Sequence, residues 1–267
     1  TNLKTLTFPA SYKAETLSFG LTPFVSCPAF EGYVIEDGAS IVRTEDGTLL
    51  AGGGKVLVSL PRDFKGTSYT VPDGVETISD YLFYKNTTIT SVTLPASLKK
   101  IGTAAFQGCT KLTSIALPDG FTTLGEHAFD GCSGLKTVTF GQSLTAVPAY
   151  AFSNCSALTA VDLPATVETV GDYAFRGCAK ATALSLKEGL TSIGVKAFYF
   201  CEALEGDLVI PEGVTSLSAG IFYNAYTLTS ITIPDTVTSM DANGDQFANC
   251  TAVTSVTLSK NLTELPK

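Results

Sequence analysis

Apolar positions along this chain recur on a period far longer than that of a helix or a strand. Phe83, Phe106, Phe129, Phe152, Phe175 and Phe198 follow one another at intervals of 23 residues, and Phe222 and Phe247 continue the series after 24 and 25. Shorter patterns keep the same register. Val92/Leu94, Ile115/Leu117, Val138/Phe140, Val161/Leu163, Leu184/Leu186, Ile231/Ile233 and Val256/Leu258 are apolar pairs with Thr, Ala, Asp or Ser between them. That alternation predicts a short strand with one buried face. Pro95, Pro118, Pro164, Pro211 and Pro234 end the strands, because proline donates nothing to a ladder. Glycines 102, 125, 171 and 194 then turn the chain into a segment such as AFQGC or AFSNC. Gly108, Gly131, Gly177, Asn154, Asn224 and Asn249 stand two residues after their phenylalanines. Gly and Asn accept the left-handed backbone that closes a helical turn, so each coil is expected to hold one such turn. Self-similarity at this period predicts a solenoid, whose units bury their apolar faces only against one another.

Three residues after the phenylalanine comes a cysteine: Cys109, Cys132, Cys155, Cys178, Cys201 and Cys250, replaced by Asn86 and Ala225 in two coils. With Cys27 the total is seven, an odd number that leaves at least one thiol unpaired or paired between chains. A shared repeat position predicts a ladder of packed thiols rather than a disulfide framework. Without a CxxC or a Cys/His cluster, no zinc site is expected.

The period weakens near the N-terminus. Residues 1–30 form a degenerate first stretch in which Phe24 and Cys27 repeat the FxxC spacing, and this partial start predicts coils or a cap upstream. Residues 31–66 alternate apolar and polar residues around Asp37-Gly38 and Asp46-Gly47, a hairpin signature. A β-hairpin or three-strand insertion is expected there, before the solenoid resumes over 67–267. The Gly52-Gly53-Gly54 run and Lys55 lack the GxxxxGK[ST] setting of a phosphate loop and are expected to turn into a strand.

Composition narrows the function more than it names it. A 45% apolar and 16% charged chain is not disordered, and a net charge of −8 disfavours nucleic acid and anionic membranes. No apolar run reaches the ~18 residues of a membrane helix, and the sequence opens inside a repeat-like pattern, TNLKTLTF, so that a secretory signal is expected to have been trimmed away. Catalytic candidates are few. His127 is the single histidine and occupies a slot that varies from coil to coil, so it is expected at the surface. Glu36-Asp37 and Glu45-Asp46 precede turn glycines and are expected to shape turns. Asp241, Asn243 and Asp245 alternate as calcium ligands do, but the loop lacks the closing Glu. The sequons at Asn86, Asn154, Asn249 and Asn261 matter only in a secreting eukaryote, and those at Asn154 and Asn249 belong to the repeat turn. One anomaly is aromatic. Tyr199, Phe200, Tyr223 and Tyr226 crowd two successive coils, with Tyr173 one coil earlier. Tyr199 and Tyr223 share a slot and are expected to stack, making these five residues the candidate protein-binding site.

The repeat LPxxVxxIGxxAFxxCxxLxxVxLP resembles the BspA-like leucine-rich repeats, whose units are 23 residues long. Gly141 and Lys187 depart from it at the proline, and residues 205–208 and 241–246 carry short insertions. The combined expectation is an α/β, β-rich, right-handed leucine-rich-repeat solenoid with parallel strands on one face and a hairpin insertion near its N-terminus. About ten or eleven coils at ~4.8 Å each would span ~50 Å. The lack of a catalytic constellation leads to the expectation of a monomeric, non-enzymatic, cofactor-free module, and the resemblance implies that it is extracellular or at the cell surface. Its partners would be proteins of the host extracellular matrix or of another cell, with no nucleic acid and no membrane insertion. A structural spacer presenting another domain is the alternative.

Overall fold

A computed structural model describes residues 4–11, 29, 32–61, 64–262 and 264–265; the FxxC at Phe24 and Cys27 lies outside them. Each coil carries two strands. In Ser91–Thr93 the middle Val92 is buried and its neighbours exposed, and the chain turns beyond Pro95 into Lys100–Ile101, whose Ile101 is buried. The first strands pair in parallel from coil to coil, as Ser114–Ala116 does with Thr137–Thr139. The second strands form their own parallel row, exemplified by Thr123–Leu124 on Lys100–Ile101 and Thr169–Val170 on Ser192–Ile193. The expectation of strands on one face is thereby corrected. Each coil has an apolar pair for both walls, and only the first was conspicuous in the sequence.

The α part of the expected α/β class is corrected too, since no helix occurs among the described residues. The backbone around each phenylalanine explains why. The Phe106 amide donates to the Ala128 carbonyl one coil on (2.8 Å), and Ala104 and Gly108 donate likewise to Glu126 and Asp130. Their N–H groups therefore cross to the next coil instead of closing bonds within one. Cys109 and Gln107 donate three residues back, to Phe106 and Ala104. The segment is a chain of tight turns that stacks as a third ladder.

The interior is filled by rings. Phe83, Phe106, Phe129, Phe152, Phe175, Phe198 and Phe222 lie 4.7–5.4 Å apart, with interplanar angles of 9° or less. Behind them the thiols of Cys109, Cys132, Cys155, Cys178, Cys201 and Cys250 are free. Each donates to the carbonyl of a phenylalanine in the preceding coil, as Cys132 Sγ does to Phe106 O (3.0 Å) and Cys155 Sγ to Phe129 O (3.3 Å). Burial pushes the thiols of Cys132, Cys155 and Cys178 up, because a thiolate loses its hydration there.

Near the N-terminus, Gly32–Ile35 pairs in parallel with Thr5–Phe8, so Asp37-Gly38 does not close a hairpin. Val42–Arg43, Leu49–Ala51 and Val56–Ser59 form an antiparallel meander, whose last strand joins the second row in parallel at Thr77–Ile78. Asp46 shapes its first turn, accepting from the Thr48 amide (3.0 Å) and hydroxyl (3.1 Å) and from the Thr44 hydroxyl. The hydrogen bond from Thr44, above the other contacts, holds the Asp46 carboxyl below the usual range. Leu49, Ala51, Val56 and Val58 form a small separate core with Phe8 and Ile41.

Candidate functional site

The turn segment sets a surface as well as a core. In the coils from Phe83 to Phe198 the residue two before the phenylalanine has a left-handed backbone: Tyr81 (φ 58°), Ala104 (51°), His127 (56°), Tyr150 (58°), Tyr173 (56°) and Lys196 (53°). Gly220 has it also (60°). The phenylalanine and the residue before it are buried, whereas the residue two before and the residue one after are half-buried or exposed in most coils. The slot two before and the slot one after are joined within each coil by a turn bond, as Tyr199 N to Lys196 O (3.2 Å) and Arg176 N to Tyr173 O (3.1 Å). Two outer rows therefore run side by side along the solenoid.

Rings occupy both rows. His127 stacks on Tyr150 (4.6 Å, 8°), and Tyr150 on Tyr173 (4.9 Å, 9°). In the second row Tyr199 packs on Tyr223 (4.9 Å) at a tilt of 32°, and Phe200 meets Tyr199 edge-on at 4.4 Å. Lys196 Nζ lies over the Tyr199 ring, 5.3 Å from its centroid, and so links the rows. The five residues singled out from the sequence thus divide. Tyr199, Phe200 and Tyr223 form one cluster, and Tyr173 belongs to the neighbouring row. Tyr226 is exposed, with no ring contact among the described residues. Sequence reasoning missed His127 and Tyr150 as partners of Tyr173. The signal was available, since all three occupy one slot and same-slot residues stack. A separate pair, Tyr81 and Tyr84, meets edge-on at 5.7 Å beyond the gap left by Ala104.

The edge is polar between its rings. His127 Nδ1 lies 3.1 Å from Asp130 Oδ2, and the same carboxylate accepts from Gln107 Nε2 (2.9 Å) and Asn154 Nδ2 (3.3 Å). The imidazole is thereby held between a ring and a carboxylate, and no nucleophile among the described residues bonds to it. Every described cysteine thiol is committed to a carbonyl. No group of three His, Cys, Asp or Glu side chains suited to a metal ion occurs among the described residues. In the 241–245 loop Asp241 Oδ1 is turned onto the amides of Asn243, backbone (3.0 Å) and side chain (2.8 Å), as in an ordinary Asx turn.

The strand face is chemically quiet. Thr113, Thr159 and Thr182 hydroxyls donate to carbonyls one coil back (3.2–3.4 Å), which ties them to the stack. A shallow pocket of about 520 Å³ opens where Gly141 and Lys187 replace the strand-ending proline, lined by Val138, Phe140, Leu163 and others. Its cation is neutralised, with Lys187 Nζ 2.9 Å from Asp162 Oδ1. No helix among the described residues is long and apolar enough to cross a membrane.

Comparison with known proteins adds a pedigree to this geometry. A family model described as "BspA type Leucine rich repeat region" matches residues 63–182 and 168–267, in six copies. Among solved structures, a leucine-rich repeat protein from Eubacterium ventriosum is 27% identical with a TM-score of 0.68, the match covering 83% of this chain and 58% of that one. The chain thus spans little more than half the length of that protein. A T. pallidum leucine-rich repeat protein is 22% identical with a TM-score of 0.57, over 76% of this chain and 86% of its own. The pneumococcal vaccine antigen PcpA shares the fold at 21% identity and a TM-score of 0.51, over 84% and 71%. No curated protein matched the chain.

Proposed function

The chain belongs to the BspA-type leucine-rich repeat family, and from that premise we propose that it is a non-enzymatic protein-interaction module that works outside the cell or on its surface, as an adhesion element. The observation that carries this reading is the aromatic edge. His127, Tyr150, Tyr173, Tyr199, Phe200 and Tyr223 place half-buried rings on consecutive coils, the first three in one stack and the last three in one cluster. Tyrosine-rich patches on a rigid scaffold are favoured binding surfaces, because large rings contribute contact area at little cost in conformational entropy. The left-handed slot and the stacking fix the rings beforehand, which reduces what a partner must order on binding. The scaffold acts alone, as a monomer, and needs no cofactor.

A pull-down from extracellular matrix and serum proteins tests the reading. The wild-type chain is compared with a variant carrying Tyr173, Tyr199, Phe200, Tyr223 and Tyr226 changed to Ser, and with one changed at His127 and Tyr150, each checked for folding by circular dichroism. Specific capture that either variant loses supports the module and locates its edge. Capture unaffected by both moves the site to the strand face. A folded chain that captures nothing is a spacer.

A further inference from the structure

The midpoint of the aromatic edge is not aromatic alone. The coil of Phe175 presents Tyr173 and Arg176 in the two outer rows, and the next coil presents Lys196 and Tyr199 in the same rows. The order is reversed, so cation and ring alternate in both directions. Tyr173 N donates to Val195 O (2.9 Å) and Gly177 N to Tyr199 O (2.7 Å), which locks the two coils side by side. The Lys196 stem lies flat: a Cβ on Gly220 would stand 2.9 Å from its Cγ, so the glycine leaves the room the stem occupies. Above it the ammonium rests over Tyr199.

Neither cation has an acidic partner among the described residues. The ion pairs there involve Lys55, Lys99, His127, Lys187 and Lys260. Asp245, beyond Gly220 in the Lys196 row, lies near the lysine stem but makes no ion pair with it, and two other carboxylates beside the site are otherwise engaged. Asp172 Oδ1 accepts from the Val195 amide (2.7 Å), and Asp130, two coils earlier in the Arg176 row, holds His127 and Gln107. In a chain of net charge −8, two half-buried, unpaired cations side by side are an exception.

The rings point to the same ligand charge. In a stack their faces cover one another, so His127, Tyr150 and Tyr173 present edges and phenolic groups to solvent. An aromatic quadrupole is negative on its face and positive at its edge. The edge row therefore attracts anions, and its hydroxyls donate to them, whereas a sugar would need the covered faces. Guanidinium and ammonium supply the charge-assisted hydrogen bonds that make carboxylate recognition strong.

We propose that the Tyr173–Arg176–Lys196–Tyr199 checkerboard is an acceptor for an acidic, aromatic-containing peptide segment of the partner, its carboxylates on Arg176 and Lys196 and its apolar side chains along the adjoining rings. The inference rests on the protein-interaction reading above and names the partner's chemistry.

The probe is a fluorescently labelled random copolymer of glutamate and tyrosine, followed by anisotropy at physiological ionic strength. Because the protein is itself acidic, capture of an acidic polymer needs a local site. The variant Arg176→Gln/Lys196→Gln is set beside Lys111→Gln/Lys136→Gln, which removes the same charge from exposed lysines elsewhere. Loss of two charge-assisted contacts weakens binding about ten-fold or more in the first variant. In the second it changes by less than about two-fold, since distant exposed charges are screened. Equal losses in the two variants would mean a bulk charge effect and overturn the proposal. So would a wild-type chain that ignores the copolymer, or one that takes up heparin at this site instead. Failure here with matrix-protein capture still lost on changing the rings would leave the interaction module standing and refute only the acidic partner.

Discussion

Replacing Phe152 by Ala tests whether the ring column carries the solenoid's stability as a nearest-neighbour stack. Phe152 is fully buried, sandwiched between Phe129 (5.2 Å) and Phe175 (5.3 Å), with Phe140 edge-on at 5.5 Å. Its coil is locked on both sides by amide bonds, from Phe129 N to Ala151 O and from Phe152 N to Ala174 O (2.8 Å each), so collapse onto the void is restricted. A buried Phe→Ala change costs about 3–5 kcal/mol, and three ring partners place this site toward the upper end, since each aromatic pair adds ~0.5–1.5 kcal/mol. Phe247 makes the internal control. It is half-buried and has one ring neighbour, Phe222 at 6.0 Å, so Phe247→Ala should cost about 1–2 kcal/mol. In urea, with an m-value of ~3 kcal/mol per molar for a chain of this size, Phe152→Ala lowers the midpoint by roughly 1.5 M and Phe247→Ala by less than half of that. Far-ultraviolet circular dichroism follows the transition, because the chain has no tryptophan. Equal costs at the two sites would refute the stacking argument. Stability would then reside in the strand rows rather than in the column.

The buried thiols give a pH dependence. Cys132, Cys155 and Cys178 have folded values raised above an ordinary 9.0 by burial, so the unfolded chain loses those protons first. Their contribution is full below about pH 9 and declines as pH rises through the folded values, by ~1.4 kcal/mol per pH unit for each thiol. Urea midpoints measured from pH 8 to 11 should fall, and a triple Cys→Ala variant should fall less steeply; parallel curves would contradict this. Gly141→Ala should be severely destabilising, because its Cβ would stand 1.9 Å from the Pro118 carbonyl oxygen. Gly120→Ala meets nothing within 4 Å and should be neutral or stabilising by ~0.4–1 kcal/mol; thermal melts of the pair decide it. Ala104→Gly relieves a left-handed backbone (φ 51°) and should raise stability by about 1 kcal/mol, seen as a higher melting temperature; a lower one would mean that the Ala104 methyl group matters more than its backbone.

How much of this was legible depends on where the information lies. Phe106, Cys109, Val92 and Pro95 each announce a role through residue type alone: ring, small thiol, apolar strand centre, strand stop. Gly108 and Asn154 at left-handed positions (φ 75° and 57°) are likewise what their types predict. The second strand row was not visible, because two-residue strands such as Lys100–Ile101 are too short to show alternation. The helical turn was inferred from Gly and Asn at its end. Those residues equally suit the non-helical turn that forms once each Phe amide bonds to the next coil.

The candidate site was half visible for a different reason. Its rows are read between coils, from residue i to i+23, and a side chain on the outer edge acquires meaning only from its neighbours there. His127 alone is a variable surface residue. Beside Tyr150 and Tyr173 it begins a stack. The backbone adds an argument that no local pattern contains. A left-handed conformation costs a non-glycine residue roughly 1–2 kcal/mol, and the slot two before the phenylalanine holds one in Tyr81, Ala104, His127, Tyr150, Tyr173 and Lys196. Glycine would serve the fold better at each. Backbone strain repeated at one slot and filled with rings and a cation is what the proposed binding edge would account for. Ring stacking offsets part of the cost at His127, Tyr150 and Tyr173, and the contact with Tyr199 does so at Lys196. What remains is the reason to look for a partner on this edge rather than on the strand face, whose threonines serve the coil-to-coil ladder.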